Sequence, residues 1–386
     1  MALRFAKGSC AFVLAVVLSA ASVGANAQEI TTTVSGATRV EFDDNRLLVV
    51  DMPQQLTLIT VSPKLTTRIR GPRYDAKVYG GVNYGQSLDP RVEADRADFL
   101  GGASLDYEWS ASALNVNANY LENSVRDSQF LDTGQTATDA TQRRLTSAVT
   151  WRGKVSDYTS LVLGGGYERT DQSRRTLTDF NFFYATTGLA RELSERLTLE
   201  VDVRLQRLDP DTNLINGTNS VQASANATWR ISEATTLTVE AGAIYSDAKV
   251  NSQTDFTGKA ELAYQFDPWS ASLIVSREET PSSDGTLRVT ETAAGSFSYD
   301  LATTVSIGAR VDVGRTRSLN PGLSLFPTRT RRLTASPHII WTPWETLAFE
   351  LTYRRREFDR QRLGGTAGSN TVMFELRFHY PQSDES

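Results

Sequence analysis

Val372-Met373-Phe374-Glu375-Leu376-Arg377-Phe378-His379-Tyr380, close to the end of the 386-residue chain, sets the reading of the whole. Val372, Phe374, Leu376, Phe378 and Tyr380 are large and apolar. Met373, Glu375, Arg377 and His379 alternate with them. A period of two places the two sets on opposite faces of a β-strand. Similar segments recur upstream. In Leu197-Thr-Leu-Glu-Val-Asp-Val-Arg-Leu205, the apolar set Leu197, Leu199, Val201, Val203 and Leu205 alternates with Thr198, Glu200, Asp202 and Arg204. Leu237–Ala241, Val305–Val313 and Leu347–Tyr353 repeat the pattern, and in Leu114–Tyr120 the polar set is entirely Asn.

About 18 segments of roughly 9–13 residues can be marked out, the length that crosses a bilayer as a tilted strand. The aromatic finish at Phe378 and Tyr380 resembles the last strand of a bacterial outer-membrane β-barrel. In such proteins the terminal aromatic is part of the signal read by the barrel assembly machinery. The expected fold is therefore all-β: a transmembrane antiparallel barrel of about 18 strands, with 16 as the alternative. Carboxylates and guanidinium groups at mid-strand would be costly in a packed soluble barrel. In a water-filled lumen they stay hydrated.

The N-terminus agrees with export. Arg4 and Lys7 precede an apolar run from Cys10 to Leu18, and small residues lead to Ala25-Asn26-Ala27. This is the pattern of a secretory signal peptide cut before Gln28. It divides the chain into residues 1–27, a signal peptide, and 28–386, a single barrel domain. Cys10 is the only cysteine, so the mature chain has no disulfide and no thiolate site. The mature chain carries 38 basic against 45 acidic residues, a net charge of −7. That balance argues against nucleic acid as a partner. No later segment reaches the ~18–20 apolar residues of a membrane-spanning helix.

Connections alternate in length. Short turns are expected at Trp109-Ser110, Gly153 to Asp157, Leu193 to Glu195, Ser232 to Ala234, Asp267-Pro268, Asp300 to Ala302 and Pro343-Trp344. Longer loops are expected at Gln86 to Arg96, Asn123 to Thr141, Asp171 to Asp179, Asp209 to Gly217, Asp247 to Gln253, Thr280 to Gly285, Thr316 to Thr328 and Asp359 to Gly368. Short periplasmic turns and long outer loops are the asymmetry of bacterial barrels. The final strand must end in the periplasm. Counting back from it, parity requires a first outward strand near Ala37 to Phe42. Trp109, Trp151, Trp229, Trp269, Trp341 and Trp344 fall at strand ends, as an interfacial girdle requires.

Val40-Glu41-Phe42-Asp43-Asp44-Asn45, followed by Leu58-Ile-Thr-Val-Ser-Pro-Lys-Leu65, resembles the opening of outer-membrane β-barrel porins associated with exopolysaccharide and exosortase gene clusters. The resemblance implies an outer-membrane barrel that takes part in export of a surface polysaccharide, working with periplasmic export proteins. A general diffusion porin for small hydrophilic solutes is the alternative. A structural or adhesion barrel is the third.

The polar faces nominate a pore lining: Lys77, Glu200, Asp202, Arg204, Glu240, Lys259, Glu261, Arg310, Asp312, Glu350, Arg354, Glu375 and Arg377. They read either as a selectivity-setting wall or as a ladder of cross-strand ion pairs. Apart from Tyr79 the lumen is expected to be poor in aromatics. Basic runs at Arg329–Arg332 and Arg354–Arg356 could meet lipopolysaccharide phosphates or form a solvated rim. Asp43-Asp44 reads as a turn or strand cap rather than a calcium site, because calcium needs a wider set of oxygen ligands. Gly164-Gly165-Gly166 reads as a bend in the wall. His338 and His379 are the only histidines, and no Ser–His pair stands at a recognisable spacing. The expectation is no enzyme and no cofactor.

Overall fold

A computed structural model describes residues 29–126, 140–174, 177–212, 217–248, 251–282, 285–318, 329–359 and 365–380. The expected signal peptide and the loop tips at 127–139 and 319–328 lie outside the described residues. Eighteen strands follow one another: β1 Glu29–Asp43, β2 Leu56–Gly71, β3 Tyr74–Ser87, β4 Arg96–Glu108, β5 Ser112–Ser124 and β6 Thr141–Ser156. Next come β7 Thr159–Gln172, β8 Phe180–Ser194, β9 Leu197–Pro210, β10 Thr218–Arg230, β11 Thr235–Ala248 and β12 Asn251–Phe266. The last six are β13 Trp269–Pro281, β14 Leu287–Ala302, β15 Val305–Ser318, β16 Arg329–Trp344, β17 Leu347–Asp359 and β18 Thr366–Tyr380.

Each strand pairs antiparallel with its neighbours, and β1 pairs with β18 from Val34↔Tyr380 to Asp43↔Thr371. The sheet is thus a closed barrel, which leaves no edge along that seam. The first strand is longer than the expected Ala37–Phe42 segment. Residue parity sorts the side chains throughout. On β9, Val201 and Leu205 are 53% and 54% exposed, on the face that meets lipid. Glu200, Asp202 and Arg204 point the other way.

Eight connections at one end are short, such as residues 72–73 and 195–196. Connections at the opposite end include 44–55, 88–95 and 173–179. Both described chain ends lie at the short-turn end, the periplasmic one by the asymmetry of such barrels. Tyr107 and Trp109 meet there at 4.5 Å between ring centroids, Tyr264 and Trp269 at 4.6 Å, and Trp341 and Phe349 at 5.3 Å. One expected long loop is corrected. β11 and β12 stay paired up to Ala248↔Asn251, so the Asp247–Gln253 segment is mostly strand. Smaller shifts occur where β6, β14 and β16 run on to Ser156, Ala302 and Trp344, each with a register irregularity near its end. Proline leaves its mark on the ladders, because it has no N–H to donate. The β2–β3 register skips Ser62-Pro63, and the β16–β17 register skips Ser336-Pro337.

The largest departure from a plain cylinder is at the outer end of β13 and β14. β12 and β13 pair only from Phe266↔Trp269 to Gly258↔Arg277, although both strands run further outward. Above that point β13 parts from β12, and the β13–β14 hairpin, still paired with β15 as far as Arg288↔Ser318, bends into the lumen. Leu287 and Val289 pack with Phe180, Phe182 and Leu208 of β8 and β9 in a buried apolar cluster. Gly285 at the tip has φ +74°, and a Cβ there would lie 2.7 Å from Thr178 Cγ2. Glycine is required on both counts.

Candidate functional site: the inner face of the barrel

The strand registers bring the thirteen predicted polar residues to one side of the sheet. Glu200 aligns with Asn226, Asn226 with Glu240, and Glu240 with Lys259. Asp202 aligns with Ser224, whose hydroxyl donates to its Oδ2 at 2.6 Å. Arg204 lies over the Tyr184 ring, 4.1 Å from its centroid. Lys259 and Glu261 pair at 3.0 Å, and Arg310 and Asp312 at 2.9 Å. Arg377 pairs with Glu350, while Arg39 Nε donates to Glu375 Oε2 at 2.6 Å. Lys77 aligns with Arg68 and Ser104. Arg354 aligns with Thr371 and lies against the Met373 sulfur at 3.1 Å. Arg152 on β6 reaches Glu200 on β9 at 3.0 Å, bridging strands that are not neighbours. That bond requires both side chains to point into the barrel.

These pairs are largely open to solvent. The Arg310 side chain is 62% exposed although it faces the interior. Exposed ion pairs of this kind are weak, about 0–1 kcal/mol each. They leave the wall hydrated and mixed in sign.

The outer half of the lumen is different. Arg46, in the β1–β2 connection, donates to Glu41 Oε1 at 2.6 Å and to Glu93 Oε2 at 2.7 Å. Arg126 also donates to Glu93 Oε2, at 3.1 Å. All four side chains are nearly inaccessible. This network binds the 44–55 and 88–95 connections to the end of β5. Buried charges of this kind survive only when fully paired. Together with the inward-bent β13–β14 hairpin, the network narrows the outer part of the barrel. In the β7–β8 connection, beneath the hairpin tip, Asp179 is held above the usual carboxylate range by burial, with Asp171 and Asp211 adding to the effect.

Asp43-Asp44-Asn45 is a latch at the barrel's closure. Asp43 accepts from Arg356 Nη2 at 2.6 Å, Ser369 Oγ at 2.7 Å and the Asn45 backbone N–H at 3.0 Å. Asp44 accepts from the backbone N–H and side-chain amide of Asn370, at 2.7 and 2.6 Å. Asn45 donates to the carbonyls of Val49 and Gly368. The motif therefore ties β1 to β17 and β18 and caps the turn. Among the described residues no group of three or more His, Asp or Glu side chains is placed to hold a metal ion.

One expectation about the wall is overturned. The inner face is not poor in aromatics: Phe180, Phe182, Tyr184 and Phe358 join Tyr79 there. Parity from the outward Leu189 would have revealed the three on β8. The segment Phe180-Asn-Phe-Phe-Tyr184 conceals them because Phe183 faces outward as well. Gly166 makes room for one of them, since a Cβ there would meet the Tyr184 ring at 2.5 Å. Sequence reading also missed Glu41, Arg46, Glu93 and Arg126. Three of these lie outside the strands or at a strand's end, where no periodicity marks them.

No protein-family model matches the chain, and none of the curated proteins does. Its architecture is that of known porins. The chain superposes on Pseudomonas aeruginosa OccK9 (OpdG) with a TM-score of 0.52, at 10% identity, covering 91% of this chain and 98% of that one. P. aeruginosa OccK2 (OpdF) gives 0.52 at 9% identity over 92% and 99%. The same OccK2 protein in complex with glucuronate gives 0.51 at 9% identity over 91% and 98%. The chain thus has the closed 18-strand antiparallel fold of outer-membrane porins.

Proposed function

We propose that this barrel is an outer-membrane channel through which small hydrophilic solutes diffuse. The observation that carries the proposal is the hydrated inner wall. Glu200, Arg310, Asp312, Glu350 and Arg377 line it as solvent-accessible ion pairs of alternating sign. A wall of this kind admits water and small polar solutes without a strong preference for either charge. Narrowing of the outer half by connections and by the β13–β14 hairpin favours small solutes over a polymer. A neighbour in fold was solved with glucuronate, a small acidic sugar, which belongs to the same solute class.

Polysaccharide export keeps one specific support, the Asp43-Asp44-Asn45 opening. The structure gives that motif a bonding role at the barrel seam, and the role does not depend on export. Purified protein in planar bilayers should conduct with weak ion selectivity. Arg310→Glu or Arg354→Glu should move the reversal potential toward cations. In cells, deletion should slow uptake of small solutes and leave surface polymer unchanged. Loss of surface polymer with normal solute uptake would overturn the diffusion reading in favour of export.

A further inference from the structure

Where β13 parts from β12 and the sheet bends inward, the outer, lipid-facing side of the barrel becomes concave. The hollow has a volume of about 780 Å³. Its lower wall is apolar. One rung of the registers brings Ala260, Val275, Ala293 and Val313 side by side, with Phe256 and Val239 flanking them. The next rung outward aligns Gly258, Arg277, Glu291, Arg315 and Arg331. Above it lie Val289, Arg317 and Arg329. Two residues of strand separate successive rungs, about 6–7 Å. Hydrocarbon-facing side chains thus give way abruptly to five guanidinium groups, at the end of the barrel that carries the long connections.

The opposing carboxylates do not neutralise this cluster. Asp255 takes Arg277 at 2.7 Å and Arg317 at 2.8 Å, and Arg277 also meets Glu291. Glu279 contacts the Ser246 hydroxyl at 2.8 Å, and Asp359 stands opposite Arg331 in register. Arg315 comes no closer than 4.0 Å to Glu291. Among the described residues, Arg329 and Arg331 have no carboxylate within ion-pair distance. The outward rim over β5–β9 provides the contrast. There Arg143 pairs with Glu122 at 2.8 Å, and Arg169 pairs with Asp171 at 2.7 Å and Asp211 at 2.6 Å. That rim is neutralised by its own carboxylates, whereas among the described residues the β13–β16 rim leaves Arg329 and Arg331 without a carboxylate and Arg315 in a single long pair at 4.0 Å.

We propose that this hollow binds one phosphorylated glycolipid of the outer leaflet, a lipid A-type molecule. Its acyl chains would lie along Val275, Ala293 and Val313, and its phosphate would sit against Arg315, Arg329 and Arg331. Guanidinium groups suit phosphate because they donate paired, charge-assisted hydrogen bonds. Basic clusters beside an apolar surface are the physical requirement for holding an anionic lipid head group. The inference rests on the outer-membrane fold and not on the channel reading.

The test uses the full mature barrel, folded in detergent, and native mass spectrometry. Bisphosphorylated lipid A, the same lipid without phosphates, and inorganic phosphate are offered separately. The wild type should retain one bisphosphorylated lipid A. Replacing Arg315, Arg329 and Arg331 together by Glu should weaken retention at least about tenfold, equivalent to about 1.4 kcal/mol. The triple Gln variant removes the charge more gently and should also weaken it, with the heat-modifiable barrel band unchanged for both. Arg143→Glu on the neutralised rim should bind as the wild type does. Equal retention of the phosphate-free lipid, or an equal loss in Arg143→Glu, would overturn the proposal. So would arginine-dependent binding of inorganic phosphate without retention of lipid. Channel conductance measured on the same variants stays unchanged if the hollow acts only outside the lumen.

Discussion

Asp43 on β1 and Arg356 on β17 form an ion pair at 2.6 Å across 313 residues of sequence, with the two side chains 1% and 6% exposed. The pair lies beside the seam where β1 meets β18, so it fastens the barrel at its closure. Removing one partner of a buried pair leaves an uncompensated charge and costs about 3–5 kcal/mol. Arg356→Ala should show a loss of that size in denaturant unfolding from lipid vesicles. Arg310→Ala, which breaks an exposed luminal pair, should cost no more than about 1 kcal/mol. Equal losses for the two variants would remove the latch from the account of barrel stability.

The lipid face gives a second comparison within a single strand. Val201 is 53% exposed and faces acyl chains. Asp202 faces inward and accepts from Ser224. Val201→Arg should cost about 2–4 kcal/mol at mid-membrane depth. Asp202→Arg should be mild, because water reaches that face. Folding efficiency into vesicles across a urea series reads both. Reversed costs would mean that the side chains of β9 face the opposite way.

This register was legible because alternation reports which face of the strand each residue occupies. The alternation in Leu197–Leu205 places Glu200, Asp202 and Arg204 on one side, and the structure finds them there. Alternation does not report how a sheet bends. Leu287 and Val289 share the parity of the outward Phe297, yet both are buried inside the barrel with Phe180. The outer part of the hairpin that carries them has parted from β12 and bent inward with β14 still paired to β15, and nothing in a period of two encodes that. Contacts of long separation were equally hidden. Asp43-Asp44-Asn45 could be read as a turn or cap, but its partners Arg356, Ser369 and Asn370 lie far along the chain.

Phe378 and Tyr380 supply a prediction about assembly. Both project outward from β18, 47% and 72% exposed, at the periplasmic end of the seam with β1. Neither anchors a buried cluster, so replacing them should affect delivery more than the stability of the finished barrel. The Phe378→Ala, Tyr380→Ala double variant should reach the outer membrane at reduced levels and be degraded in the periplasm. The same variant refolded from urea into vesicles should form a heat-modifiable barrel. Normal surface levels in cells would show that the assembly machinery does not read this end.

The folded hairpin makes the last prediction, about conductance. Gly285 sits at its tip with φ +74°, and its missing Cβ lets it approach Thr178 and Pro210. Gly285→Val introduces a β-branched side chain into a left-handed conformation and a contact of 2.7 Å. The tip can relieve that conflict only by moving away from the β8–β9 wall. Moving it exposes Leu287 and Val289 and widens the outer half of the lumen. Single-channel conductance in planar bilayers should therefore rise above that of the wild type, with more frequent closures as the loosened tip fluctuates. Ion selectivity should stay near the wild-type value, because the paired wall charges at Arg310–Asp312 and Glu350–Arg377 are untouched. An unchanged conductance in a correctly folded Gly285→Val barrel would show that the hairpin does not limit passage. The constriction would then lie at the Arg46–Glu93–Arg126 network, where Glu93→Gln is the corresponding variant.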